Sequence, residues 1–322
     1  MDILFIKLGA LGDVINTLPL AVTLKENLDA RIHWLVEPLS YPLVAEHPSV
    51  ERAVLFNKKQ WLASLPEVVR QLRHDRFDIA LDLQRLIKSG FFCMVSRSSR
   101  RVGFDRERCK ELTWLYPFER IPANDPTRHM AHQYLDFARH LGINPSEVRW
   151  NIPVTGRLPL NLPGEYIVIN IGATTSAKRW TAEGFASLVN GIGQHYAIAC
   201  VLTGGPDDIP MASRIRSMIP GRIIDLVGKT SLIDLKEVIA GASAMVTCDT
   251  GPMHLAVALG KEVIALIGPT NPRRTGPLKG KVIKQDLSCM PCNKRKCGNP
   301  VCLTNLSAEL VLEALDEILK RP

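Results

Sequence analysis

The sequence predicts an α/β protein of two domains, each built on a parallel sheet. Short apolar runs alternate with helical patterns from end to end, as when parallel strands are linked by crossover helices. A Pro-rich stretch breaks the alternation near its middle. The length of 322 residues also favours two domains at roughly 100 to 200 residues each. Hydrophobic residues make up 46% and charged residues 22%, a globular composition that excludes a disordered, collagenous or coiled-coil chain.

Taken in order, strands are expected at residues 2–7 (DILFIK), 32–36 (IHWLV), 52–55 (RAVL) and 77–82 (FDIALD), and helices starting near Gly12, Gln60, Arg85 and Arg128. In NIPVTGRLPLNLPGE, Pro153, Pro159 and Pro163 discourage regular elements and mark the linker, so the domains are set at 1–155 and 156–322. The second half repeats the pattern: strands at 166–171, 197–202, 222–225, 244–247 and 262–267, helices near Thr181, Asp207, Ser231 and Pro252. After Gly268 it decays into a Pro, Lys and Cys-rich stretch ending at Cys302. A last amphipathic helix, about 307–320, opens on Ser307 as N-cap.

No apolar run approaches the ~20 residues needed to span a bilayer. Asp2 stands where a secretory signal carries positive charge, and Lys7 and Asp13 interrupt the apolar segment. The start therefore reads as a first strand of a cytosolic protein.

Lys plus Arg number 40 against 32 Asp plus Glu, a net charge of +8. That suits a nucleotide, a phosphorylated lipid or an anionic membrane face without selecting among them. The excess is local: Arg85, Lys88, Arg97, Arg100, Arg101, Arg106, Arg108 and Lys110 face only Asp105 and Glu107. This stretch reads either as a solvated surface or as a face for an acidic acceptor. Only Phe91, Phe92 and Phe104 interleave, too few aromatics for base stacking, which argues against nucleic acid. Cys289, Cys292, Cys297 and Cys302 form C-x2-C-x4-C-x4-C, a spacing that can build a thiolate metal site or brace a loop as reduced thiols.

Three strand-to-helix turns carry the chemistry. The first strand runs into Gly9-Ala10-Leu11-Gly12-Asp13, where two glycines allow close substrate approach and a helix offers free N–H groups. Asp13 in the first turn either favours the helix dipole or serves as a general base. Only Gly9 and Gly12 of a G-x-G-x-x-G fingerprint are present, which disfavours a nicotinamide enzyme. In the second half, Gly172-Ala173-Thr174-Thr175-Ser176-Ala177-Lys178-Arg179-Trp180 combines hydroxyls with a cation before a helix, either a diphosphate site or a polar loop capped by Thr181. Asp249-Thr250-Gly251-Pro252-Met253-His254 follows a strand and starts a helix with Pro in its first turn. It reads as a phosphate cradle, with His254 facing ligand or core. Gly268-Pro269-Thr270-Asn271-Pro272 is a further strand-end turn.

Together, IKLGALGDVINTLPL, ATTSAKRWT and DTGPMHLAVALGKEVIALIGPTNP resemble the ADP-heptose:lipopolysaccharide heptosyltransferases, glycosyltransferase family 9. The resemblance implies a GT-B architecture: two Rossmann-like domains facing a cleft, acceptor on the N-terminal side, ADP-sugar on the C-terminal side, and a last helix packing back on the N-terminal domain. It implies inverting transfer of heptose from ADP-L-glycero-D-manno-heptose to the Kdo/heptose inner core of lipopolysaccharide. The acceptor would be Kdo-lipid A or a heptosylated core, met at the cytoplasmic face of the inner membrane. No metal or cofactor is implied. Asp13 matches the base and Lys178 the lysine that stabilises the leaving diphosphate. Thr174, Thr175, Asp208, Asp249, Thr250, Gly251, Pro252, Met253 and His254 match the donor side. Gly12, Lys58, Lys59, Arg85 and Lys88 are expected on the acceptor side. The competing expectations are a GT-B transferase using a UDP-sugar and a non-catalytic nucleotide-sugar-binding homologue.

Overall fold

Runs such as Ile3, Leu4, Phe5 and Ile6 are wholly buried, because a parallel strand covered by helices on both faces has no solvent side. The computed structural model describes residues 1–158, 161–221 and 223–319. Pro159 of the expected linker, Arg222 at the start of an expected strand and Lys320 at the end of the expected last helix lie outside the described residues. The chain divides into units Met1–Pro153 and Val154–Pro322.

The first unit runs β1 (Asp2–Ile6), α1 (Leu11–Leu28), β2 (Arg31–Val36), α2 (Tyr41–Ala45), β3 (Arg52–Leu55), α3 (Trp61–His74), β4 (Arg76–Asp82), α4 (Ile87–Val95), β5 (Arg97–Gly103), β6 (Glu119–Arg120) and α5 (Met130–His140). Its strands form one parallel sheet in the order β3-β2-β1-β4-β5-β6, with Phe5 of β1 level with Trp34 of β2 and Leu81 of β4.

The second unit runs β7 (Tyr166–Asn170), α6 (Ala182–His195), β8 (Ala199–Thr203), α7 (Ile209–Ser217), β9 (Ile224–Asp225), α8 (Leu232–Gly241), β10 (Ala244–Cys248), α9 (Gly251–Ala258), β11 (Glu262–Leu266), α10 (Pro272–Thr275), β12 (Lys281–Ile283), α11 (Val301–Thr304) and α12 (Ala308–Leu319). Its sheet order is β12-β11-β10-β7-β8-β9, again parallel. Both units have the Rossmann order, which reverses direction between the first and fourth strands: β1 and β4 in one, β7 and β10 in the other. Those switch points open crevices at the strands' carboxyl ends, where ligands bind in open α/β sheets.

The last helix, α12, contributes to the core of its own unit. Its Val311, Ala314 and Leu315 lie in the core of the second unit, Tyr196 donates a hydrogen bond to Asp316, and Lys281 pairs with Glu317. Gly191 on α6 allows the approach, since a Cβ there would stand 2.5 Å from Leu312.

Candidate active site

At the first switch point the chain leaves β1 through Lys7 and enters α1, whose N-cap Ala10 has no capping side chain. The first N–H groups of α1 are therefore left for water or a ligand. Asp13 sits in that turn, and its Oδ2 is 3.2 Å from the Nζ of Lys7. Lys7 is buried and lies over the Tyr134 ring, 5.2 Å from its centroid. Across the switch point, Gln84 Oε1 accepts from Gly9 N at 3.3 Å, tying the loops after β1 and β4 together.

Burial pushes the Asp13 carboxyl up, but the charges of Lys7, Arg85 and Lys110 and the bond from Lys7 outweigh it, leaving Asp13 below the ordinary carboxylate range. Burial pulls Lys7 down, and Asp13 and the Tyr134 phenol more than restore it. The pair thus keeps Asp13 ionised, ready to accept a proton, with a side chain still 36% exposed. Sequence reading took Lys7 only as an interruption of an apolar strand. A lysine closing such a strand is the one local signal, because its partner Tyr134 lies far along the chain.

Two of the eight cations in the expected face, Arg85 and Arg108, turn out to be internal. Arg85 is buried in a left-handed turn (φ 65°), its guanidinium 4.8 Å from the Phe104 ring centroid and bonded to the Arg108 carbonyl at 3.3 Å. Arg108 is buried between Asp105 and Asp136, the latter at 2.6 Å. Arg100 is paired with Glu119, and Arg101 donates to the carbonyls of Cys93 and Ser96. Arg85 consequently acts on Asp13 as a buried charge. Lys88 pairs with Glu37 at 3.0 Å, and Lys58 and Lys59 are exposed on the turn before α3.

At the second switch point Lys178, in the short turn after β7, donates to Asp249 Oδ2 at 2.7 Å, and Thr270 donates to the same oxygen at 2.6 Å. Asp249 and Thr270 are buried, while Lys178 is 24% exposed. An ammonium has three donors, so Lys178 keeps two beyond Asp249, and Asp249 keeps its second oxygen. Helix α9 begins beside them with Thr250 as N-cap, no side-chain cap and Pro252 in the first turn. Its leading N–H groups thus form an anion-accepting end.

Beneath this end lies a polar network that sequence reading missed. Asn170 donates to Thr247 Oγ1 at 3.1 Å, to Thr250 Oγ1 at 3.4 Å and to the Gly172 carbonyl at 3.3 Å, and accepts from Thr203. Thr250 therefore turns its hydroxyl inward. Met253 is fully buried and His254 nearly so, which leaves the backbone of Met253 as its only group for a ligand. Thr174 is exposed, and Thr175 holds a buried hydroxyl oxygen with no hydrogen-bond partner. Asp208 pairs with Arg179 at 2.7 Å and accepts from Gly205 N at 2.9 Å. Gly172 must lack a side chain there, because a Cβ would stand 2.8 Å from the Asp208 carboxylate.

The cysteine-bearing tail runs along these loops: Asn293 N donates to the Pro269 carbonyl at 2.8 Å, and Ala177 N to the Arg295 carbonyl at 3.5 Å. Cys302 is buried, and Cys289 and Cys297 are exposed. Burial first, then the neighbouring Cys292, Cys289 and Cys297, raises the Cys302 thiol. Among the described residues no group of three His, Cys, Asp or Glu side chains stands as a candidate metal site.

Two Rossmann sheets, a carboxylate at one switch point and a lysine with an anion-accepting helix end at the other are what a nucleotide-sugar transferase needs. The family model described as glycosyltransferase family 9 (heptosyltransferase) matches residues 66–302. The chain belongs to glycosyltransferase family 9. Lipopolysaccharide heptosyltransferase 1 of Escherichia coli (strain K12) is 26% identical to it, over 99% of this chain and 100% of that protein. Lipooligosaccharide heptosyltransferase 2 of Haemophilus influenzae is 27% identical, with 100% of both covered. The solved structure of E. coli heptosyltransferase WaaC with ADP superposes with a TM-score of 0.81 at 26% identity, covering 99% of this chain and 100% of that one. This family 9 chain is a glycosyltransferase of the GT-B fold class.

The Lys7–Asp13 pair gives this glycosyltransferase a testable pH signature. A depressed carboxylate stays ionised as pH falls below its ordinary value near ~3.9. Replacing Lys7 with Met removes the strongest charge opposing burial, so the acid limb of kcat/KM should move to higher pH. An acid limb that stays where the parent has it would show that Lys7 does not set the charge of Asp13.

Proposed function

We propose that this glycosyltransferase is an inverting heptosyltransferase. It moves heptose from ADP-L-glycero-D-manno-heptose to the Kdo/heptose inner core of lipopolysaccharide. Asp13 accepts the proton of the acceptor hydroxyl. The oxygen attacks the anomeric carbon from the face opposite ADP, the bond from that carbon to the diphosphate oxygen breaks, and the configuration inverts in one displacement. Charge developing on the departing diphosphate meets donors already in place: the two spare N–H bonds of Lys178 and the uncapped start of α9. The second oxygen of Asp249 accepts from heptose hydroxyls.

The observation that carries this reading is the Lys178–Asp249–Thr270 cluster, in which one buried carboxylate aligns the cation and keeps an oxygen free for a sugar. Relatives named heptosyltransferase 1 and heptosyltransferase 2 match about equally, at 26% and 27% identity, which fits an inner-core acceptor without selecting between them. Such an acceptor is lipid-anchored, which puts the enzyme peripherally at the cytoplasmic face of the inner membrane. Nucleic acid has no part in it. Among the described residues no helix is long and apolar enough to cross a membrane.

A thermal-shift comparison of ADP, UDP and NAD tests the donor side. A ligand at about 100 times its Kd stabilises by about 2.7 kcal/mol, a readily measured rise in Tm. ADP is expected to raise Tm while UDP and NAD do not. A response to UDP alone would discard ADP-heptose as donor.

A further inference from the structure

Of the sixteen large apolar side chains exposed among the described residues, eight fall between Trp61 and Leu115, all in the first unit. Helix α4 presents Ile87, Phe91 and Met94, each at least 39% exposed. Their spacing of i, i+4 and i+7 makes one face that the core leaves uncovered. Helix α3 opens on Trp61 and Leu62, 52% and 72% exposed. The two helices wall a hollow of about 480 Å³ between Trp61 and Leu65 on one side and Phe91 and Phe92 on the other, with Lys58 and Lys88 in its lining. The turn carrying exposed Leu112, Trp114 and Leu115 is fixed to the start of α4: Tyr116 donates to the Ile87 carbonyl at 2.9 Å, and Ile87 N to Glu111 at 2.7 Å. Cations border this surface. Lys58, Lys59 and Lys110 are exposed, and Arg106 lies over the Trp114 ring at 4.6 Å.

Single exposed apolar residues are ordinary, whereas a contiguous apolar surface rimmed by charge marks a binding face. We infer that this surface seats the enzyme on an anionic phospholipid bilayer. Trp61, Leu62 and the α4 stripe enter the interface, and Lys58, Lys59, Arg106 and Lys110 meet lipid phosphates. Charge decides the occupant. Cores of protein–protein interfaces are depleted of lysine, yet here two lysines line the hollow itself. Lysines extend long apolar stems to hydrocarbon with the ammonium at the headgroups, and an amphipathic surface of Trp, Phe, Leu and Lys is the composition that lies in an anionic leaflet. The inference deepens the proposed function and rests on it for the acceptor's lipid anchor, while the surface itself is read from exposure and charge.

Vesicle flotation tests it, with vesicles of phosphatidylglycerol and phosphatidylethanolamine against phosphatidylcholine alone. The parent should float with the anionic vesicles, less so as salt rises, and not with the neutral ones. Trp61→Ser/Leu62→Ser and, separately, Leu112→Ser/Leu115→Ser should each weaken anionic binding by about tenfold or more. Ile209→Ser/Leu310→Ser, exposed apolar residues of the second unit, should bind like the parent. An unchanged ADP-induced Tm rise would show each variant folded. Failure of the parent to float, or patch variants that float like it, would overturn the inference. So would a dimer, by light scattering, that Trp61→Ser/Leu62→Ser converts to monomer, since the surface would then join two copies. The two proposals fail separately: flotation without any ADP response would sink the heptosyltransferase reading and leave the surface, and the reverse would sink only the surface.

Discussion

Asp13→Asn should lower heptosyl transfer by about a hundredfold to ten-thousandfold while leaving the ADP-induced rise in Tm unchanged. The amide keeps the shape of the side chain but cannot accept the acceptor's proton. The residues assigned to ADP lie at the other switch point, after β7 and β10, so donor binding has no reason to change. The substitution also strands the Lys7 ammonium. Breaking a fully buried ion pair costs about 3–5 kcal/mol, but the Asp13 side chain is 36% exposed, and solvent screening holds the loss below that range. A lower Tm with an intact ADP increment is therefore the expected pattern. Full transfer by a folded Asp13→Asn protein would remove Asp13 as the base.

Lys178→Ala should damage binding and turnover together. A hydrogen bond to a charged group contributes about 1.5–3 kcal/mol, so ADP affinity should fall roughly tenfold to a hundredfold. Loss of an electrostatic donor aimed at the leaving group should cost about a hundredfold to a thousandfold in kcat. Asp249 would then be buried with Thr270 as its remaining donor, and the alanine variant should melt lower than the parent. Titration calorimetry with ADP and initial rates at saturating donor separate the two effects. A variant with parental ADP affinity and parental kcat would place the diphosphate elsewhere.

Sequence read these sites unevenly, for physical reasons. The turns were legible because their residue types serve the chemistry locally: Gly12-Asp13 after an apolar strand, Lys178 beside a helix start, and Asp249-Thr250-Gly251-Pro252 where only a strand-to-helix turn suits Gly then Pro. Partners joined by tertiary folding were hidden. Lys7 meets Asp13 and the Tyr134 ring together only in the folded chain, and Asn170 organises Thr203, Thr247 and Thr250 only once β7, β8 and β10 lie side by side. Arg85 carried the same surface signal as its cationic neighbours, and only the Phe104 ring and the Arg108 carbonyl draw it inside.

The strands divide likewise. Those with continuous apolar runs, β1, β7 and β10, were expected within a residue or two of where they lie. Strand β5 was missed because Arg97, Ser98, Ser99, Arg100 and Arg101 give no apolar alternation; its place is set by pairing with β4 over Arg76 to Asp82. Strands β6 and β12 span two and three residues, too short for periodicity to register. The amphipathic pattern of α12 announced a helix but not which surface its apolar face would cover, and that face lies in the core of the second unit.

We propose that a carboxylate at the first switch point and a lysine at the second move heptose from ADP to an inner-core sugar. Mass spectrometry of a heptose-deficient, Kdo-bearing core acceptor incubated with the parent protein and ADP-L-glycero-D-manno-heptose tests it most directly. The expected result is an acceptor heavier by one heptose residue, equimolar release of ADP, and neither product with Asp13→Asn on the same timescale. Contradiction would be an acceptor of unchanged mass with ADP-heptose alongside a mass gain from a UDP-sugar.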